Sequence, residues 1–176
     1  TGVFVTSKSV GETKLTASVS NITKEILIKV SSGSINSDIK FNKSGIKSGD
    51  WLMTSEGLIG EKVAGDGFIL SNDTGSNFHL TANVKLEAVA ASIVFRSNED
   101  MTNFVVANYD NNEHIVKLWS HLGVIATKGV NNVNPDEIVL SVKTNDNNVS
   151  VSLNGEECIN VNLGDEYLNS GYYGLN

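Results

Sequence analysis

The stretch IVLSVKTNDNNVSVSLNGEECINV, from Ile138 to Val161, decides the fold class of this chain. Apolar and polar residues alternate with a period of two along its runs, which is the pattern of half-buried β-strands. Asn154 and Gly155 lie between the last two runs, and an Asn-Gly pair in that position is the strongest short-range signal for a β-hairpin. The polar sequence TNDNN predicts a further turn before them. The stretch therefore predicts consecutive antiparallel strands.

The same short alternating segments recur along the chain, in KLTASVS, EILIKV and HLTANVKL. They are rich in Val, Ile and Thr and are separated by Gly, Asn, Asp and Ser, whereas helical periodicity is nearly absent. The single proline, Pro135, lies in the polar loop NNVNPDE and interrupts no strand. Many short strands without a convincing helix predict an all-β protein, an antiparallel β-sandwich.

The composition excludes several classes of function. The chain has 176 residues with 13 basic and 20 acidic side chains, a formal net charge of −7. This balance argues against binding nucleic acid through its phosphates and against docking on an anionic membrane, but it is compatible with a neutral polymer. Cys158 is the only cysteine, which excludes an internal disulfide framework and a Cys-rich metal site. No apolar run approaches the ~18 residues of a membrane span, so we expect no membrane insertion.

A composition break at SSGSINSD, residues 31–38, reads as a linker and predicts two domains, 1–32 and 33–176. The first part resembles the C-terminal part of a bacterial immunoglobulin-like (group 2) domain, in which a Gly-x-x-x-Leu-x-Ala strand precedes a Val/Ile-rich last strand. The matching residues are Gly11, Leu15, Ala17 and the ending ILIKV. The alternative is that these strands belong to the main sandwich.

Six segments of the second part resemble carbohydrate-binding module family 66, in register over about 140 residues. They are GDWLMTSEGLIGE, GDGFILSNDTGSNFHLTANVKL, VFRSNEDMTNFVVANYD, HIVKLW, VSVSLNGEECINV and SGYYGLN. The resemblance implies a jelly-roll, concanavalin-like or laminin-G-like β-sandwich attached to a fructan-degrading glycoside hydrolase. It also implies non-catalytic binding of the terminal fructose of levan-type fructans, a covalently linked catalytic domain, and an extracellular location, secreted or cell-wall associated.

Arg96 is the first candidate for the binding site, because an apolar run ends there abruptly in a cluster of polar residues. Its fixed fork of donors suits adjacent sugar hydroxyls. The neighbours expected to complete the hydrogen bonding with amides and carboxylates are Asn98, Glu99, Asp100, Asn108 and Asp110. The alternative for Arg96 is an ion pair at a strand end.

Two aromatic residues are candidates for the flat face on which a sugar ring stacks. Trp119 shares a strand face with Lys117 in period two, and Tyr109 is a second platform. Trp51 is expected in the core. Asp66, in the turn-like GDGF, is expected at the same end of the sandwich, with a turn-stabilising role as the alternative.

Two positions depart from the family pattern. The family has a tyrosine about nine residues after the arginine, where this chain has Val105, and an acidic residue in the strand after Ser-Asn-Phe, where this chain has Thr81 or Ala82. Both changes remove a polar or stacking group, so they weaken the inference of fructose specificity more than that of the fold.

The sequence shows no catalytic constellation. A glycosidase needs two facing carboxylates, and nothing distinguishes a pair among Glu56, Glu61, Asp100 and Asp110. We therefore predict no enzymatic activity and no cofactor, with a structural calcium on the loop oxygens of SNDTGS or NNE as an alternative, although the EF-hand pattern is missing. The alternative functions are a structural or adhesive spacer and, last, a laminin-G-like keto-glycoside hydrolase.

Overall fold

A computed structural model of the chain describes residues 11–19, 22–30, 38–55, 57–61, 66–87 and 89–176. The contacts divide the chain into two units, Thr1–Ser37 and Asp38–Asn176. In the first unit, β1 (Gly11–Val19) and β2 (Ile22–Val30) form an antiparallel pair. The predicted domain boundary after residue 32 lies outside the described residues, so this boundary and the immunoglobulin-like resemblance stay predictions.

The second unit is built almost entirely of short strands. They are β3 (Ile46–Ser48), β4 (Asp50–Met53), β5 (Leu58–Glu61), β6 (Phe68–Gly75), β7 (His79–Val84), β8 (Ala90–Ser97), β9 (Val105–Asp110), β10 (Ile115–Ser120), β11 (Gly123–Gly129), β12 (Ile138–Asn145), β13 (Asn148–Leu153), β14 (Glu156–Asn162) and β15 (Gly171–Leu175). A 3₁₀ turn spans Lys43–Gly45. In the described part of the chain, no helix has the length and apolar character needed to cross a membrane.

These strands form two main sheets. The seven-stranded sheet has the order β11-β10-β9-β8-β15-β6-β3, the four-stranded sheet has the order β14-β13-β12-β7, and β4 pairs with β5 as a separate hairpin. Neighbouring strands in both sheets pair antiparallel. The predicted all-β antiparallel sandwich is confirmed.

The stretch that predicts the fold forms β12, β13 and β14. Asn154 and Gly155 both have positive φ, +49° and +83°, as a tight hairpin turn with an Asn-Gly pair requires. A second short turn joins β12 to β13, where Asn145 pairs with Asn148. Local turn chemistry thus fixes the register of three of the four strands in this sheet.

The core lies between the two sheets, because every second side chain of each strand points inward. The core is one cluster of apolar side chains to which both sheets contribute, for example Ile93 and Phe95 of β8 and Leu140 and Val142 of β12. All four are nearly or fully buried. Burying a side chain of this size stabilises the fold by about 1.5–3 kcal/mol.

A second cluster covers the outer face of the seven-stranded sheet, and we call it the outer aromatic cluster. Its buried centre consists of Leu70, Val94 and Val106. The partly buried side chains that cover this centre are Phe68, Met101, Phe104, Trp119 and Tyr172. Phe104 comes from the loop between β8 and β9, so this loop folds back over the sheet. The outer face is therefore apolar at one end instead of uniformly polar.

Candidate functional site

Arg96 lies at the end of β8, where the strand alternation breaks. Val94 packs on the outer face and Phe95 packs in the core, but Arg96 has φ +50° and does not return to the outer face. Its side chain is only 1% exposed, and Nη2 donates a hydrogen bond to the carbonyl oxygen of Asp146. The guanidinium therefore reaches the turn between β12 and β13 in the opposite sheet.

The turn that receives Arg96 is held by the loop between β6 and β7. Asn77 donates from Nδ2 to the Asp146 carboxylate at 3.3 Å, and the backbone N–H of Asp146 donates to Asn77 Oδ1 at 2.6 Å. Thr144 donates through Oγ1 to the Ser76 carbonyl at 2.7 Å. Gly171 of β15 packs directly against the Arg96 backbone, since a Cβ at position 171 would fall 2.6 Å from it.

The Arg96 guanidinium has two buried donors with no acceptor. Nε and Nη1 find no acceptor within the protein, and among the described residues no carboxylate pairs with the group. Burial lowers the pKa of Arg96 below its ordinary value. Within the described part of the chain, the alternative of an ion pair at a strand end is therefore wrong for Arg96. Leaving a charged donor buried and unpaired costs several kcal/mol in general, so the arrangement calls for a functional reason.

Asn98 and Asp100 form the loop after Arg96 and are occupied by its internal hydrogen bonds. Asn98 Oδ1 accepts from the N–H of Asn103 at 2.9 Å, and its Nδ2 donates to Thr102 Oγ1 at 2.7 Å. The Asp100 carboxylate accepts from the N–H and hydroxyl of Thr102, which lowers the pKa of Asp100. Glu99 is exposed in the same loop and makes no hydrogen bond there.

Asn108 and Asp110 lie on β9 and do not gather around Arg96. Asn108 is nearly buried and donates to Ser92 Oγ at 3.0 Å on the outer face. Asp110 accepts from the backbone N–H groups of Asn112 and Glu113 at 2.9 and 3.0 Å, which makes it a turn-stabilising residue. Since β9 begins beside Phe95 and ends at Asp110, the strand separates Asp110 from Arg96. The expectation that Asn108 and Asp110 lie close to Arg96 is wrong.

Tyr109 is not available as a stacking platform. It is 0% exposed, packs in the core between the sheets, and donates its hydroxyl to Asn111 Oδ1 at 3.2 Å. Burial raises the pKa of the Tyr109 phenol. The expectation that Tyr109 offers a ring face to a sugar is wrong, because β9 alternation turns its side chain inward while Asn108 and Asp110 point outward.

Trp119 lies on the outer face, as the alternation of β10 predicts. Val116 and Leu118 of the same strand are in the core, whereas the Trp119 ring meets Phe104 edge-on, with centroids 5.5 Å apart at 87°. Arg96 reaches toward the opposite sheet. The structure therefore does not bring the guanidinium and this indole into one concavity.

Asp66 and Trp51 lie beside β3, an edge strand of the seven-stranded sheet. The expectation that Asp66 lies at the Arg96 end of the sandwich is wrong, because Asp66 precedes the start of β6, which pairs with Leu175 and not with the Gly171 end of β15. Asp66 is exposed, and its carbonyl accepts from Ser48 Oγ of β3 at 2.7 Å. Trp51 is partly buried within the β4–β5 hairpin, where a Cβ on Gly60 would touch its ring, and Nε1 donates to the Ser48 carbonyl at 2.9 Å. The expectation that Trp51 belongs to the core is wrong, because the hairpin forms a sheet of its own.

Sequence reasoning missed the residues that surround Arg96. Asp146 and Asn77 are distant in sequence, and only the packing of the two sheets brings them together. The TNDNN turn is recognisable as a turn, but nothing in its composition shows which side chain crosses to it. Phe104 is likewise missed, although an apolar residue inside a polar loop is a signal that the loop folds onto a surface.

Among the residues that the structure describes, no three His, Cys, Asp or Glu side chains gather as metal ligands. The prediction of no cofactor, with a calcium on loop oxygens as its alternative, stays a prediction. The surface has a small cleft of about 230 Å³ beside Lys85 and Asp136 and a larger one of about 650 Å³ near His114. Neither cleft is lined by Arg96 or Trp119.

No family model matches the chain, but part of it is similar to two proteins of known function. A fructan beta-fructosidase of Streptococcus mutans serotype c is 34% identical over 77 residues, which are 41% of this chain and 5% of that protein. A levanase of Bacillus subtilis strain 168 is 34% identical over 76 residues, 41% of this chain and 11% of the levanase. The matched segment is therefore a small part of both relatives.

Among solved structures, a carbohydrate-binding module of family 66 from Bacillus subtilis superposes with a TM-score of 0.67 at 25% identity, over 74% of this chain and 84% of the module. A Bacillus subtilis protein of unknown function with a galectin-like fold gives a TM-score of 0.55 at 12% identity, over 76% of this chain and 84% of that one. The second likeness shows the fold alone. The first confirms the resemblance that the six sequence segments indicate.

Proposed function

The sandwich has the structure of a family 66 carbohydrate-binding module, and from this premise we propose that it binds the terminal fructose of levan-type fructans without cleaving them. In this proposal the module is covalently linked to a glycoside hydrolase outside the cell and keeps that enzyme close to the polymer. Such tethering raises the effective concentration of the enzyme on its substrate without any change in catalysis. The two curated relatives, a fructan beta-fructosidase and a levanase, support this setting.

The observation that carries the proposal is the pair of unpartnered donors on Arg96. Nε and Nη1 are fixed in the plane of the guanidinium with their N–H bonds pointing in different directions, so they can donate to two separate oxygen atoms of a bound sugar. A sugar that supplied those oxygens would relieve the cost of the buried, unpaired donors. A net charge of −7 repels anionic polymers but leaves neutral fructans unaffected.

Access to Arg96 requires a local opening, because the side chain is 1% exposed. The β12–β13 turn touches the guanidinium through the Asp146 carbonyl, so we expect this turn to move when the sugar enters. Asn98 and Asp100 then act by shaping the neighbouring loop, and exposed Glu99 is the carboxylate free to accept from a hydroxyl.

Two positions depart from the family pattern, Val105 and the pair Thr81 or Ala82, and neither is expected to contact the sugar. The proposal therefore assigns the anchoring of the sugar to Arg96. Val105 is fully buried in the core, so it adds no stacking group at the surface. Thr81 lies on the outer face of the four-stranded sheet beside Ser141, at 3.2 Å between hydroxyls. We therefore expect weaker discrimination between fructan linkages than two further contacts would provide.

Retention of the full chain on insoluble levan, with inulin, cellulose and xylan beside it, tests the proposed function. We expect retention on levan, less on inulin and none on the other two. Equal passage through all four would favour the structural or adhesive spacer. Release of soluble sugar from the levan would instead indicate the hydrolase.

Two variants separate binding from folding at Arg96. Arg96→Met should weaken levan binding at least about tenfold, because hydrogen bonds from a charged donor contribute about 1.5–3 kcal/mol and 1.4 kcal/mol is a factor of ten. Asn77→Ala is the matched control, since it removes two hydrogen bonds to the same turn and leaves the guanidinium in place. Binding by Arg96→Met equal to that of the unmodified chain would refute the site.

A further inference from the structure

The larger cleft lies at the end of the sandwich opposite Arg96. It has a volume of about 650 Å³ and opens between the end of β11 and the β13–β14 hairpin. Clefts of this size lie within the range of about 300–1,000 Å³ that is typical of small-molecule sites. The lining includes His114, Lys128, Asn131, Asn154, Glu113 and Glu156.

Part of the polar lining is already used by the protein, since Glu157 accepts from Ser150 and Asn160 and Glu113 lies 3.9 Å from Lys117, but other groups are free. His114 Nδ1 is buried without a hydrogen-bond partner, at a residue with φ +53°. Asn154 uses its Oδ1 to accept from the N–H of Val139 at 2.7 Å, which leaves its Nδ2 as a donor. Within the described structure, Lys128 and Glu156 form no ion pair. The cleft thus presents both donors and acceptors to whatever enters it.

This mixture selects the chemistry of the ligand. The carboxylates of Glu113, Glu156 and Glu157 outnumber the one lysine, so a phosphate or another anion would be repelled. The described residues include no group of three metal ligands, so a dehydrated divalent cation is not favoured either. Hydroxyls both donate and accept, and they match amide, ammonium, imidazole and carboxylate groups in one pocket.

We infer that this cleft is a second binding site, for a neutral oligosaccharide, which works together with the Arg96 end on one polymer. The inference rests on the proposed carbohydrate-binding function. The six residues of β9 separate the two ends of the sheet by roughly 17 Å. Two sites at this spacing would raise the avidity for a long fructan without a stronger contact at either one.

Cys158 makes the cleft measurable, because it is the only thiol of the chain and lines this cleft. Burial raises the pKa of Cys158, so alkylation by iodoacetamide is slow enough to be timed at mildly alkaline pH. With levan-derived oligosaccharide at ten times its dissociation constant, we expect the alkylation rate to fall about tenfold. The same protection should persist in Arg96→Met, where the other site is lost.

A pair of neighbouring variants supplies the control. Asn131→Ala removes a cleft amide and should abolish most of the protection, whereas Asn132→Ala, in the same loop but outside the lining, should retain it. Calorimetry should give two oligosaccharides per chain for the unmodified protein and one for Arg96→Met.

Alkylation that is unchanged by saturating oligosaccharide, with one site per chain that Arg96→Met abolishes, would overturn the second site and leave the proposed function intact. Absence of any oligosaccharide binding to the unmodified chain would overturn both. Protection by a positively charged amino sugar alone would overturn the neutral ligand.

Discussion

At the scale of single residues, Arg96 is unusual because its charge is buried without a counter-charge. It is the only arginine in the chain, and among the described residues its guanidinium donates a single hydrogen bond, to the Asp146 carbonyl. Buried charges in proteins are normally paired, since desolvation otherwise exceeds what the group gains. A residue kept in this state is better explained by ligand binding than by stability.

This argument predicts that binding and stability separate at Arg96. Arg96→Met should change the free energy of unfolding by less than about 1 kcal/mol, because the loss of one hydrogen bond is offset by removal of a buried, unpaired charge. Asn77→Ala should lower it by about 1–2 kcal/mol through two lost hydrogen bonds. Urea denaturation measures both, and a loss of several kcal/mol in Arg96→Met would assign the guanidinium a structural role.

Trp119 gives a second prediction at this scale. Because its ring packs edge-on against Phe104 in the outer aromatic cluster, Trp119→Ala should cost about 2–4 kcal/mol of stability. Levan affinity should change by less than about twofold, since the indole lies away from the Arg96 guanidinium. A selective loss of affinity with unchanged stability would restore Trp119 as the stacking face.

At the scale of elements, the turns determine the four-stranded sheet. Gly155 has φ +83° and no neighbouring atom within 4 Å of an added Cβ, so Gly155→Ala introduces backbone strain without a clash. We expect a loss of about 1 kcal/mol, because alanine avoids this region. Gly129→Ala is the control, because position 129 also has free space for a Cβ but does not have a positive φ. The stability of this variant should be equal to that of the unmodified chain or slightly higher. Equal thermal shifts in the two variants would contradict this account of the turn.

How much of the structure the sequence predicts depends on whether the signal is local. The strands, the Asn154-Gly155 hairpin and the outward position of Trp119 follow from alternation and turn chemistry. The buried position of Tyr109 was predictable too, because period two in VVANYD places its side chain on the sheet face opposite to that of Asn108. The expectation of a stacking platform instead grouped Tyr109 with its polar neighbours in the sequence. The contact of Arg96 with Asp146 was not predictable, since it depends on a positive φ and on the packing of two sheets.

At the scale of the whole molecule, hydrogen-bonded carboxylates predict a loss of stability in acid. Hydrogen bonds from Thr102 lower the pKa of Asp100, and those from Ser150 and Asn160 lower the pKa of Glu157. A lowered pKa in the folded state stabilises the fold above the ordinary pKa of the group, and that contribution disappears as the pH falls through the folded value.

The melting temperature should therefore decline below about pH 4.5, modestly because both groups are exposed. Glu157→Gln should flatten this decline, whereas Glu137→Gln, at an exposed carboxylate without a hydrogen bond in the described structure, should not. Identical pH profiles for the two variants would show that the hydrogen bonds of Glu157 do not contribute.

The most direct measurement of the central claim is the ¹H–¹⁵N signal of the Arg96 Nε–H group during titration with levan-derived oligosaccharide. The chain has one arginine, so the spectrum contains one such signal to follow. If a sugar oxygen accepts from this unpartnered donor, the signal should move downfield with the same binding curve as calorimetry, and its exchange with water should slow. A stationary Arg96 signal in a chain that binds the sugar would contradict the account.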